Sequence, residues 1–154
     1  MTLSWEDIVN RSRGANVHVS RKPNVQRAYE DRKAMVKATF KSYVDMIKVE
    51  CLEFALSTTK PYKAIRKINS RDYALTTTPF PFDIEAGVTH NVLWSLTPLS
   101  DQEIKNIIER KFRPQCFKYV YYENALKDKS VPDIWHVHVF VVGAPHILLR
   151  YVKL

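Results

Sequence analysis

The chain has 154 residues, enough for one domain with its own core and too few for two of ordinary size. Lysine and arginine number 24 against 16 acids, a net charge of +8 that suits nucleic acid, acidic protein or small anions and demands none of them. Three glycines nearly exclude a phosphate-cradling glycine loop, two cysteines (Cys51 and Cys116) stand in no metal-binding spacing, and no apolar run is long enough to span a membrane.

The opening residues, Met1 to Asp7, lack the basic and apolar regions of a signal peptide. A cytoplasmic or nuclear protein with reduced thiols and no membrane partner is expected. The basic excess sits in the first half. Arg11 to Lys48 holds ten Lys and Arg against Glu30, Asp31 and Asp45.

Ser4 with Glu6 and Asp7 predicts a short helix that ends by Gly14. Ser20-Arg21-Lys22-Pro23 opens a second helix, with proline early, where its missing N–H is harmless. Val36, Phe40, Tyr43, Val44, Ile47, Cys51 and Phe54 recur at three- and four-residue steps, so this helix is expected to run to about Leu56. Lys33, Lys37 and Lys41 lie off that stripe and form a candidate basic surface. One or two helical turns are expected within Tyr62 to Ser70, and a short strand over Tyr73 to Thr76. Two prolines keep Thr77 to Phe82 irregular.

Val88 to Leu96 alternates and predicts a strand, with Val88, His90, Val92, Trp94 and Leu96 on one face. Ser100 with Glu103 is a capping box, opening a further helix that ends before Pro114. Phe117 to Tyr122 reads as an aromatic strand, and Ile134 to Val142 as a buried central one. The tail, 143–154, is expected along an edge. The whole is an α+β class: one compact domain, 1–154, with an antiparallel sheet of about four strands. A long helix from the first half and a second helix pack on it, with the helices on one face.

His136 and His138 leave the same face of the central strand. Two imidazoles so placed can share a metal, with His90 as a third ligand and Asp83 or Glu85 adding oxygen. A divalent metal is one reading and not the favoured one. A second is phosphate chemistry in the manner of histidine-triad proteins, with His136 and His138 as candidate catalytic residues; Phe140 stands where a third histidine would be needed. The bland reading is hydrogen-bonded core histidines. Whether His90 meets the other two depends on sheet pairing. Walker, dinucleotide, nucleophile-elbow and zincin motifs are absent, and no elbow supports Ser130 as a nucleophile. The aromatic strand has a base-stacking composition that core packing also explains.

Several short segments, in order and spacing, resemble a largely fungal family of unknown function that includes the N-acetylglucosamine-induced protein. They are Ser4-Trp5-Glu6-Asp7-Ile8, Arg21-Lys22-Pro23 with Tyr29 and Lys33, Tyr43, Phe80-Pro81-Phe82, Gly87 to Trp94 with His90, and Asn124, Lys129-Ser130-Val131 and His136-Val137-His138-Val139. The resemblance covers about residues 4 to 142. Asp83 stands where the family has glycine, and Arg32 where it has tryptophan. The resemblance implies a set of shared positions and no activity.

The polar positions in that set, His90, Asn124, Ser130, His136 and His138, are the candidate ligand-binding residues. The expected ligand is an anionic small molecule such as a nucleotide or sugar phosphate, bound and conceivably hydrolysed. The alternative is a basic interaction or structural module, of the kind found in viral particles or ribonucleoproteins, that docks nucleic acid or an acidic protein through Lys33, Lys37 and Lys41. Whether the protein is an enzyme is left open.

Overall fold

The structure is a computed structural model that describes residues 1–112, 117–125, 129 and 131–143. Cys116, Ser130 and the tail beyond Gly143 lie outside the described residues. Four antiparallel strands form the main sheet: β3 (Tyr73–Thr77), β4 (Val88–Ser95), β5 (Phe117–Tyr122) and β6 (Trp135–Gly143), in the order β3-β4-β6-β5. The strand with the most continuous apolar sequence therefore sits inside the sheet, as its composition predicts.

Both faces of β6 are buried, and this decides the layers. Val137, Val139 and Val141 join Leu75 and Leu93 on one face. That face is covered by Ile104, Ile108 and Phe112 of and just after α4 (Asp101–Lys111), which opens on the expected Ser100–Glu103 capping box. The opposite face carries His136, His138 and Phe140. It is covered by α1 (Trp5–Ser12), α2 (Pro23–Thr39) and α3 (Tyr43–Cys51) through Ile8, Val36, Met46 and Ile47. Helices on both faces replace the expected single helical layer. A strand with apolar residues of both parities cannot leave either face to water.

The expected long helix is two. Phe40 is extended (φ −113°, ψ 155°), and the segment beside it bonds Tyr62: Lys41 N–H donates to Tyr62 O and Tyr62 N–H to Thr39 O, both 2.8 Å. Ser42 then caps a new helix by accepting from Asp45 N–H at 3.1 Å. The apolar stripe continues across the break because both helices face the same sheet, so periodicity alone cannot reveal it. The Ser42-x-x-Asp45 spacing was the local signal. The turns expected within Tyr62 to Ser70 are also replaced. Ala64–Ile65 forms β2 and pairs with β1 (Ala55–Leu56), a two-stranded sheet held against α3 by Ala64 N–H donating to Asp45 Oδ1 at 2.9 Å.

Leu3 closes the far end. It pairs in parallel with Ile84, its N–H donating to Asp83 O and its carbonyl accepting from Glu85 N–H, both at 2.8 Å. Gly87 leads into β4 with φ +90°, a region that disfavours residues bearing a Cβ. Leu93, fully buried at the centre of the α4 face, is expected to lose about 2–5 kcal/mol on Leu93→Ala, while the exposed Lys37→Ala stays within about 0.5 kcal/mol. Urea denaturation of the two variants checks the assignment of layers.

Candidate functional site

Sheet register places the histidines. Residues opposite one another in an antiparallel pair share a face, and β4 meets β6 with Val92 opposite His138, His90 opposite Phe140 and Trp94 opposite His136. His90 therefore faces the same side as His136 and His138, the arrangement that the sequence left open. His90 and His138 are diagonal neighbours, and their rings touch directly, Nε2 of His90 lying 2.8 Å from Nδ1 of His138.

The contact is one link in a chain. Phe82 N–H donates to His90 Nδ1 at 3.1 Å, and the Phe82 ring packs 4.4 Å from the imidazole. At the other end, the Asn124 amide lies 3.1 Å from His138 Nε2. Arg11 from α1 reaches the same amide at 3.4 Å and donates to Tyr122 Oη at 3.1 Å and to Val17 O. His136 stands apart from the chain. Its Nδ1–H donates to Ile134 O at 2.9 Å, which leaves Nε2 as the acceptor nitrogen, and its ring packs on Trp94 at 4.7 Å.

All three rings are buried, His90 and His136 at 3% exposure and His138 at 9%. Burial disfavours the charged form and holds all three imidazoles below their ordinary value. For His90 the shift is large, with His138 and Arg21 adding to it. For His138 it reaches about 3, with His136, Arg11 and Arg21 adding to the effect of burial. The histidines are thus neutral at physiological pH. Burial also pushes the Cys51 thiol up to about 11, so it is no nucleophile.

Two cavities flank His138. The smaller, about 120 Å³, lies under α2 and α3 and is lined by His90, His136, Trp94, Tyr29, Tyr43 and Arg32, among others. The larger, about 530 Å³, lies between the segment Asn16–Gln26 and the sheet, and takes in Arg11, His18, Arg21, Phe82, Asn124 and His138. Arg21 and His138 border both. The Arg21 guanidinium lies 4.0 Å over the Tyr29 ring and 5.5 Å over Phe82, and its Nε–H donates to Phe80 O at 2.9 Å.

Of the sequence candidates, the structure brings His90, His136, His138 and Asn124 together, and Ser130 lies outside the described residues. Lys33, Lys37 and Lys41 are exposed and line neither cavity; Lys33 pairs with Glu30 at 3.9 Å. Asp83 and Glu85, proposed to add metal oxygens, instead pin the N-terminal segment. Asp83 Oδ1 accepts from Thr2 Oγ1–H at 3.0 Å and Glu85 Oε1 from Trp5 N–H at 2.9 Å. Among the described residues no group of three His, Cys, Asp or Glu is arranged to hold a metal ion. The nitrogens that His90 and His138 would offer a shared metal already face one another. Sequence reasoning missed Arg11 and Arg21 as site residues. Arg21 does stand within the Arg-Lys-Pro segment that carries the resemblance, but a helix-opening segment gives no sign of which loop residue turns inward.

The fold and site define an α+β domain with a buried histidine–asparagine chain beside an arginine-lined cavity. The protein belongs to a protein family of unknown function, DUF3605, whose profile matches residues 4–142. No curated protein matches the sequence. Among solved structures, the crystal structure of HTC1 superposes with a TM-score of 0.58, covering 91% of this chain and 85% of that one. At 17% identity this likeness shows a common fold.

The depressed imidazoles fix the sign of a pH dependence. Unfolded histidines bind protons below about 6.5, whereas His138 stays neutral in the fold down to about 3. The unfolded chain therefore binds more protons in that window, and stability falls as pH drops through it. Urea midpoints at pH 7 and pH 5 are expected to show the loss, and His138→Gln should make the pH-dependent part smaller.

Proposed function

We propose that the protein binds a small anionic molecule, a nucleotide or a sugar phosphate, in the cavity between Arg11, Arg21 and Asn124. One observation carries this reading: among the described residues the cavity is bordered by two arginines and by no carboxylate. Arg11 spends its bonds on neutral acceptors, and Arg21 on a single carbonyl and two aromatic faces. Neither forms an ion pair among the described residues, although Arg32, Arg66 and Arg71 all do. Burial lowers the pKa of Arg21, opposed by Tyr29, Tyr43 and Glu30, so its charge is held at a cost that an anion would offset. A volume of about 530 Å³ lies in the range of small-molecule sites.

His90 and His136 border the smaller space, which suits a few atoms of a ligand and not a whole one. The acceptor nitrogen of His136 is the group there best placed to take a proton, should the ligand also be hydrolysed. In a thermal-shift screen, at least one nucleotide or sugar phosphate is expected to raise the melting temperature. Arg21→Met should reduce that shift, and Lys33→Ala with Lys37→Ala and Lys41→Ala should leave it unchanged. Silence of the wild-type protein across both classes of ligand refutes the reading.

The exposed lysines of α2 favour a second reading, a basic interaction module. If that surface holds nucleic acid, the affinity for a generic RNA or DNA oligomer should fall steeply with added salt, because the driving force is counterion release. The triple lysine variant should then lose binding that Arg21→Met retains. Filter binding over a salt series separates the two.

A further inference from the structure

We infer that the backbone N–H of Phe82, acting through His90 and His138, turns the Asn124 side chain so that its NH2 group joins Arg11 and Arg21 as a donor to the bound anion. This rests on the anion-cavity reading above and assigns to Asn124 the part of a specificity-determining residue.

The argument is a count of protons. Phe82 N–H is a fixed donor, so the nitrogen it meets, His90 Nδ1, is an acceptor and bears no hydrogen. The neutral His90 ring must then carry its hydrogen on Nε2. That nitrogen faces His138 Nδ1 at 2.8 Å, so His138 Nδ1 accepts and His138 in turn carries its hydrogen on Nε2. His138 Nε2–H points at the Asn124 amide.

An amide's two ends have the same shape, and the hydrogen-bond network decides which end faces which partner. With its NH2 toward His138, Asn124 would set a donor against a donor at 3.1 Å while accepting a long bond from Arg11 at 3.4 Å. With Oδ1 toward His138, that clash becomes a hydrogen bond at 3.1 Å, and the donor–donor contact moves to the longer 3.4 Å separation between Nδ2 and the Arg11 guanidinium, where an anion in the cavity can accept from both. Arg11 keeps Tyr122 Oη and Val17 O. The remaining alternative reverses every proton in the chain and leaves Phe82 N–H against an N–H, a buried backbone donor with no acceptor. The turned amide wins.

Its consequence lies in the cavity. Asn124 Nδ2 then points toward Arg11, and the wall of the larger cavity offers donors from Arg11, Arg21 and Asn124 to an anion. The groups facing His138 are His90 from β4, His136 from its own strand, Tyr122 from β5, Arg11 from α1 and Arg21 ahead of α2. Among the described residues none of these is an acid that would stabilise an imidazolium. A proton on either ring would also place two N–H groups face to face within the chain.

Two measurements test this. Long-range proton–nitrogen NMR of the imidazoles is expected to show His90 and His138 each bearing hydrogen on Nε2 alone, unchanged from about pH 5 to about pH 8. A hydrogen on Nδ1 of either ring, or titration of either within that range, overturns the inference. Sulfate, a dianion throughout that range, is the binding probe. At a fixed pH, Asn124→Asp should lower the wild-type affinity about tenfold or more by putting a charge on the wall, with Asn124→Leu as the uncharged companion. If the wild type binds sulfate and Arg21→Met abolishes binding, but both Asn124 variants bind as before, this inference alone fails. If the wild type binds no sulfate at all, the anion-cavity reading fails and takes this one with it.

Discussion

Burial of β6 on both faces is the constraint on which the rest depends. Eight consecutive strand positions, Trp135 to Val142, are flanked on each side by a hydrogen-bonded neighbour, β4 or β5, over most of their length. Its valines require α4 on one face. Phe140 and the two histidines, of opposite parity, require α1 to α3 on the other. A strand in that position has no water to satisfy its polar side chains. Any imidazole on it must be neutral and must find partners within the protein.

Those partners shape the site. His136 takes a carbonyl of its own chain two residues away, a local solution that needs no other element. His138 takes the longer route, through His90 on β4 to the backbone of Phe82 and outward to Asn124, which lies beside Arg11 of α1. The chain of bonds thus ties the irregular Pro79–Phe82 segment to two strands and ends beside the first helix. It also gives a reason for the two buried histidines His90 and His138 and the half-buried Asn124, where apolar side chains would pack without such requirements.

Positive charge is arranged around this neutral interior and kept out of it. Arg11 and Arg21 lie half-buried at its rim, with their guanidiniums over Tyr122 and over Tyr29 and Phe82. Aromatic faces tolerate a guanidinium without neutralising it, unlike a carboxylate. The acids nearest in sequence are engaged elsewhere: Asp7 caps α1, and Asp83 and Glu85 hold the N-terminal segment. This division of labour leaves the cavity beside Asn124 with net positive character.

Local patterns in the sequence determined much of the fold. Alternation fixed β4 and β6, capping residues fixed the starts of α1 and α4, and paired prolines fixed the irregular segment before β4, because each rests on the chain's own short-range geometry. The family resemblance, and not these patterns, named His90, Asn124, Ser130, His136 and His138 as a group. Other features were decided only by tertiary structure. The break at Phe40 needs Tyr62 as a partner, and an unbroken apolar stripe conceals it. The meeting of His90 with His138 needs the β4–β6 register, since alternation assigns faces within a strand and says nothing between strands. The placing of Arg11 and Arg21 beside the histidines, in place of Lys33, Lys37 and Lys41, follows from which segment packs against which strand. A charged side chain reads alike in sequence whether it faces solvent or a cavity, and only the packing around it distinguishes the two.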